Sequence, residues 1–296
     1  KIMKIFVHLL VVLCFSVTVS ARNVVSFNDG WSFKKGPFDS SPSVLNSGFL
    51  SGKWDKVSIP HTWNNKDMQT EMANMDWIRN PQERFYTGEA MYKKTYTPDQ
   101  SLKDKRVFLR FEGVGSVAKI YVNNKFAGKH MGAYSAFTVE LSSLLKFGEK
   151  NEIVVKVDNT PRPDVIPVNN ILFGVYGGIY RDISLIVTDK VNIAVTDYAS
   201  PGIYISQENV TNKTAETNVK IKVDNTTGTK RNIRLVTTIY EMDGKKIKDR
   251  KETQEIVGPQ GRHFFNHKFV ISKPHLWQGL EDPYLYKVVT QIIADG

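Results

Sequence analysis

The chain has 296 residues, a formal net charge of +10, 41% hydrophobic residues and 24% charged residues. That length suits about two domains, each able to bury a core without disulfide or metal staples, and the composition excludes general disorder. The positive balance does not point to nucleic acid: the lysines are scattered along strand-like segments, and the densest run, Lys245 to Lys251, adjoins a turn and reads as a solvated hairpin.

The N-terminus reads as a signal peptide over residues 1–21. Lys1 and Lys4 precede an apolar run, Ile5 to Phe15, broken only by His8, and Val19-Ser20-Ala21 resembles a small-residue cleavage site. The run is shorter than the roughly 20 residues a membrane span needs. The expectation is a secreted or periplasmic bacterial protein with no membrane span in its mature form. Cys14, the single cysteine, lies inside this segment, so the mature chain is expected to hold no disulfide and no cysteine nucleophile.

From residue 22 onward nearly everything reads as β. Val107, Leu109 and Phe111 share one face of a strand over Arg106 to Phe111, and Ala118, Ile120 and Val122 share a face of the next. Asn123-Asn124 supplies a tight turn before a return strand opening at Phe126. Ile153 to Val157 forms a further strand, and Ile179 to Val187 is expected to close a sandwich. Beyond a junction at about 189–201, Val219, Ile221 and Val223 alternate with lysines. Leu235 to Glu241 meets the hairpin signal Asp243-Gly244, with Ile247 on the return, and Phe264 to Ile271 and Tyr284 to Ile293 add two more strands. Short strands with frequent turn signals predict an all-β protein of two sandwiches, residues 22–189 and 190–296.

Few motifs carry chemistry. His263 and His267, four apart, would face one way on a helix, but their segment reads as a strand, where they are expected to be exposed. No Gly-x-Ser-x-Gly elbow occurs, and Gly174, Gly177 and Gly178 are not followed by a phosphate-loop lysine, so neither a cofactor nor a metal is expected. Asn209, Asn212 and Asn225 lie in N-x-Ser/Thr sequons, a hint of surface loops. Of the five tryptophans, Trp31, Trp54, Trp63 and Trp277 are expected to pack. Trp77, in a long polar loop, is the best placed to stack on a sugar.

Five segments then occur in a telling order: "WDKVSIPHTWN" from Trp54, "MYKKTY" from Met91, the run from Val107 through "GVGSVAKIYVNNKFAGKHMGAYSAFTVELSSLL", "NEIVVKVDN" from Asn151 and "GGIYRDISLI" from Gly177. Together they resemble the N-terminal sugar-binding domain of glycoside hydrolase family 2, the β-galactosidase, β-glucuronidase and β-mannosidase group, with the flavour of secreted Bacteroides-type β-galactosidases. The second half, ending "PHLWQGLEDPYLYKVVTQI", resembles the family's immunoglobulin-like domain. The resemblance covers nearly all of residues 26–293.

The resemblance implies a jelly-roll sandwich followed by an immunoglobulin-like one that lacks its last strand. It also implies a following (β/α)₈ barrel bearing the acid/base and nucleophile glutamates, for which too few residues remain after Tyr284. No catalytic residue is therefore nominated. Glu112 and Glu140 lie in matched strands but not at positions the family uses for catalysis.

What carries over is contact with substrate. Family members commonly place an aspartate just before the Gly-Gly-Ile-Tyr-Arg-Asp motif. Here that stretch holds Asn169 and Asn170, and the nearest acid is Asp164. Asn80 and Trp77 in the long loop are the other candidate sugar contacts. Arg181 and Asp182 are expected to form a structural ion pair or to hold the strand start against the next domain.

The function implied is the non-catalytic N-terminal portion of a secreted exo-glycosidase, a β-galactosidase foremost, inactive alone and binding sugar weakly or not at all by itself. Its partner is a carbohydrate shared with the barrel, and family members often assemble as homo-oligomers through their sandwiches. The alternative is a stand-alone carbohydrate-binding or adhesive protein of two sandwiches.

Overall fold

The computed structural model describes residues 22–36, 52–65, 86–168 and 175–295. Among these the chain is almost wholly antiparallel β, with one short 3₁₀ turn at Gln100–Asp104. The signal-peptide reading of 1–21 falls outside the described residues.

The first half pairs ten strands into two sheets: β1 (Asn23–Ser26), β2 (Trp31–Lys35), β3 (Asp55–Val57), β4 (Glu89–Tyr96), β5 (Arg106–Phe111), β6 (Val117–Val122), β7 (Lys125–Met131), β8 (Phe137–Glu140), β9 (Asn151–Asp158) and β10 (Ile183–Thr188). One sheet runs β1-β10-β5-β8 and the other β3-β2-β4-β9-β6-β7. Their inner faces interdigitate because apolar residues alternate along each strand. Leu109 lies opposite Leu185 and Phe111 opposite Ile183, and the Phe111 and Phe137 rings stack at 4.7 Å. Trp31 and Tyr92 are fully buried in this core.

The central strand β9 is covered on both faces. Its outward Val154 packs with Met91, Trp54 and Tyr121, while Lys156 is paired with Glu89 at 2.7 Å. A continuous apolar run with one paired lysine is what a strand covered on both sides requires. The β6–β7 turn has the left-handed backbone expected of its asparagines, with φ of 50° at Asn123 and 64° at Asn124.

The second half builds a smaller sandwich from β11 (Val191–Ile193), β12 (Ile203–Glu208), β13 (Thr214–Asn225), β14 (Arg231–Tyr240), β15 (Ile247–Val257), β16 (Gly261–Ser272) and β17 (Lys287–Ala294). β13 is flanked by β16 on one side and by β11 and β12 on the other. The facing sheet runs β15-β14-β17. Val219, Ile221, Leu235, Phe265 and Phe269 fill the space between them. Among the described residues, β17 pairs with β14 alone.

Three expectations from the sequence are corrected. The closing strand begins at Ile183, not Ile179, because earlier carbonyls are engaged by the β3–β4 connection: Gly177 O accepts from Trp63 N and Ile179 O from His61 N. His267 is not an exposed strand histidine. It shares the inward face of β16 with Phe265 and Phe269 and is only 2% exposed, whereas His263 is half-exposed and pairs with Glu255 at 2.8 Å. Asn225 is buried, its amide donating to Thr229 O, Val257 O and Gly258 O, so its sequon is not a surface feature.

The two sandwiches meet through a polar network beside a small apolar contact. Buried Arg106 of β5 holds Glu140 with two bonds, at 3.1 and 2.7 Å, and reaches Asn192 at 3.0 Å and Asp224 of β13 at 3.3 Å. Arg262 binds the other side of Asp224 at 2.7 Å. Phe108, Ile186 and Val195 cluster beside them, and Lys105 pairs with Asp189.

Candidate functional site

Four connections gather at one end of the first sandwich: those between β3 and β4, β5 and β6, β7 and β8, and β9 and β10. Backbone bonds stitch them together. His61 N donates to Ile179 O and Trp63 N to Gly177 O, Gly115 and Gly178 exchange both their bonds, Gly132 N donates to Ser116 O, and Ala133 N donates to Ile166 O. Gly177 and Gly178 make this crossing feasible. A Cβ at Gly177 would overlap the Trp63 indole, and Gly178, at φ 123°, would press one onto His61 O and the Tyr92 hydroxyl.

Two buried asparagines clip the stems of the loops to one another. Asn64 Oδ1 accepts from Gly177 N at 2.8 Å and from Asn159 Nδ2 at 3.3 Å, and Asn64 Nδ2 donates to Tyr86 O at 3.1 Å. Asn159 Nδ2 also donates to Val175 O at 2.9 Å, while its Oδ1 accepts from Gly88 N at 2.9 Å. Trp63 Nε1 adds a bond to Tyr86 O at 3.1 Å. An amide side chain, with two donors and an acceptor oxygen, suits such a junction because every polar group it buries finds a partner. The residues flanking 66–85 and those flanking 169–174 are thus held in one place.

All four sugar-contact candidates, Trp77, Asn80, Asn169 and Asn170, belong to those two segments and lie outside the described residues. What the structure supplies is their common base, formed by Asn64, Tyr86, Asn159 and Val175. Sequence reasoning did not single out Asn64 or Asn159. The signal was an asparagine directly after the buried Trp63 and another directly after the end of β9.

The titratable groups here are structural. His61 Nδ1 lies 2.8 Å from the Tyr92 hydroxyl; burial pushes the imidazole below its ordinary range and the phenol above its own. Glu112 is held by Arg110 at 2.6 Å and Glu140 by Arg106, so both acids of the matched strands are engaged by cations. Asp182 does not pair with Arg181. It accepts from Asn28 Nδ2 at 2.9 Å, while Asn28 Oδ1 caps Ile183 N at 2.8 Å, and Arg181 lies over the Tyr180 ring. The start of β10 is thus held by Asn28 of its own sandwich, rather than by an Arg181–Asp182 pair or by the next domain. Among the described residues no group of three or more His, Cys, Asp or Glu could hold a metal ion.

The described residues thus form a sandwich with its loops clipped together at one end, followed by a second, smaller sandwich. The family model for the sugar binding domain of glycosyl hydrolases family 2 matches residues 25–189, and a second model of that family matches 201–296. The chain belongs to glycosyl hydrolases family 2.

A β-glucuronidase of Bacteroides fragilis is 35% identical over 97% of this chain and 38% of its own length. A β-galactosidase of Thermoanaerobacter pseudethanolicus is 27% identical over 93% of this chain and 34% of its own. Among solved structures, a candidate β-galactosidase of Bacteroides fragilis superposes with a TM-score of 0.84 and 49% identity, over 94% of this chain and 39% of that one. Bacteroides uniformis β-glucuronidase 2 gives 0.80 and 30%, over 92% and 30%. The chain therefore spans well under half the length of the relatives it matches.

Proposed function

We propose that this chain is the non-catalytic, N-terminal portion of an exo-acting β-glycosidase that removes a terminal β-linked sugar, and that it acts outside the cytoplasm after losing residues 1–21. The observation that carries the reading is the tandem match of both sandwiches to one hydrolase family over chains more than twice as long. Retaining hydrolysis needs two carboxylates about 5–5.5 Å apart, one protonating the leaving oxygen and one attacking the anomeric carbon. In this reading both come from the remainder of the complete protein. This chain contributes a rigid wall whose loop stems are fixed by Asn64 and Asn159.

A β-galactoside is the first substrate to test, in keeping with the sequence motifs and with the structural neighbour at 49% identity. A β-glucuronide is the second, favoured by the name of the Bacteroides fragilis relative at 35% identity. The test is hydrolysis of nitrophenyl β-galactoside and nitrophenyl β-glucuronide by the complete protein. Turnover of one of them supports the reading and selects the sugar, and turnover of neither sinks it.

A further inference from the structure

We propose that Tyr134 and Tyr176 form a shallow platform on which one pyranose ring of a β-linked sugar stacks. The proposal deepens the function above and rests on the chain's being part of a sugar-cleaving protein. Tyr134, in the β7–β8 connection, is 58% exposed, and Tyr176, in the β9–β10 connection, is 46% exposed. Among the described residues neither ring is engaged in a ring-stacking or cation–π contact, so their faces are not already taken. With Tyr180, Ala133 and Val175 they line a concavity of about 70 Å³.

That volume is too small to enclose a hexose. A sugar would lie across the rim on the ring faces and dip a single substituent into the hollow. Aromatic faces suit the C–H face of a pyranose, and the phenolic hydroxyls can exchange hydrogen bonds with its hydroxyls.

The platform is pre-organised. Tyr180 spends its hydroxyl on Ala133 O at 2.5 Å, and Ala133 N donates to Ile166 O at 2.9 Å, which ties the two connections together. The Gly115–Gly178 bridge anchors the backbone two residues beyond Tyr176, and Asn159 anchors Val175 just before it. Surfaces held this way lose little entropy on binding. Ser135 follows Tyr134 directly and lies 3.2 Å from His130 Nε2, adding a polar group beside the stacking faces.

The test is saturation-transfer NMR on the 296-residue chain with lactose and with methyl β-glucuronide. At least one sugar should receive saturation, and Tyr134→Ala and Tyr176→Ala should each weaken its binding by roughly three- to tenfold, the size of a lost aromatic stack. Tyr134→Phe and Tyr176→Phe, which keep the rings, should bind within about twofold of the parent. Tyr198→Ala, which removes a 95% exposed tyrosine elsewhere, should leave binding unchanged. Saturation of neither sugar, or equal saturation in the two Ala variants, overturns the platform. Because this is read as binding and the proposed function as hydrolysis by the complete protein, either can fail alone.

Discussion

Arg106 of the first sandwich lies 3.3 Å from the carboxylate of Asp224 in the second, and both side chains are buried. Burial opposes the guanidinium's charge, but Glu140 and Asp224 outweigh it and hold its pKa above the ordinary value. The pair fastens β5 to β13, so the sandwiches resist bending at their junction. Arg106→Ala leaves Asp224 buried with Arg262 alone and should destabilise the chain by about 3 kcal/mol, the usual cost of breaking a buried pair. Urea unfolding should then separate into two transitions as the halves uncouple. Arg262→Ala, which removes a half-exposed partner, should cost less than about 1 kcal/mol. Equal effects of the two substitutions would contradict the assignment.

Asn159→Ala should cost about 3 kcal/mol, because it strands Gly88 N and Val175 O in a buried junction and removes one donor from Asn64 Oδ1, which keeps its bond from Gly177 N. Hydrogen exchange at the amides of Gly88 and Gly177 should accelerate while that of β14 is unchanged. Uniform acceleration along the chain would instead mean a general loss of stability.

Gly177→Ala should destabilise by about 3 kcal/mol, since the added methyl overlaps the buried Trp63 ring, and should change the tryptophan fluorescence. Gly228→Ala meets nothing within 4 Å and should change stability by less than about 0.5 kcal/mol. Thermal unfolding of both variants checks the contrast.

Stability should fall in mild acid. His267 has Nε2 2.9 Å from Thr253 Oγ1, while its Nδ1 has no hydrogen-bond partner among the described residues. Lys251 and Thr253 of β15 face it, and on its own strand so do Phe265 and Phe269. Burial, then the charge of Lys251, hold its pKa below the ordinary value of 6.5. The unfolded chain therefore takes up the proton first, so this contribution is complete above about pH 6.5 and is lost as pH falls through that value toward the folded pKa. Burial lowers His61 and His130 as well, which gives the first sandwich the same sign. Urea midpoints at pH 8 and pH 5.5 should differ, and His267→Gln should shrink the difference. An unchanged difference would locate the acid sensitivity elsewhere.

Much of the fold was legible because alternation marks half-buried strands. The period placed Val107, Leu109 and Phe111 together and found the turns at Asn123-Asn124 and Asp243-Gly244. The same period, followed one step further, would have put His267 inside with Phe265 and Phe269. Treating histidine as polar hid that. β1 was not legible: all four of its residues are exposed, and only its pairing with β10 makes it a strand. The packing expected of Trp31 and Trp63 is found, each being buried with its indole N–H bonded to a carbonyl, whereas Trp277, also expected to pack, is 64% exposed. The loop junction was not legible, because Asn64, Asn159 and Gly177 are far apart in sequence and meet only once both sheets have formed.

The most direct test of the central claim compares the 296-residue chain with the complete protein on nitrophenyl β-galactoside and nitrophenyl β-glucuronide. The expected result is turnover of one substrate by the complete protein and none by the 296-residue chain, whose matched-strand acids Glu112 and Glu140 are held by Arg110 and Arg106. Turnover of either substrate by the 296-residue chain would contradict it.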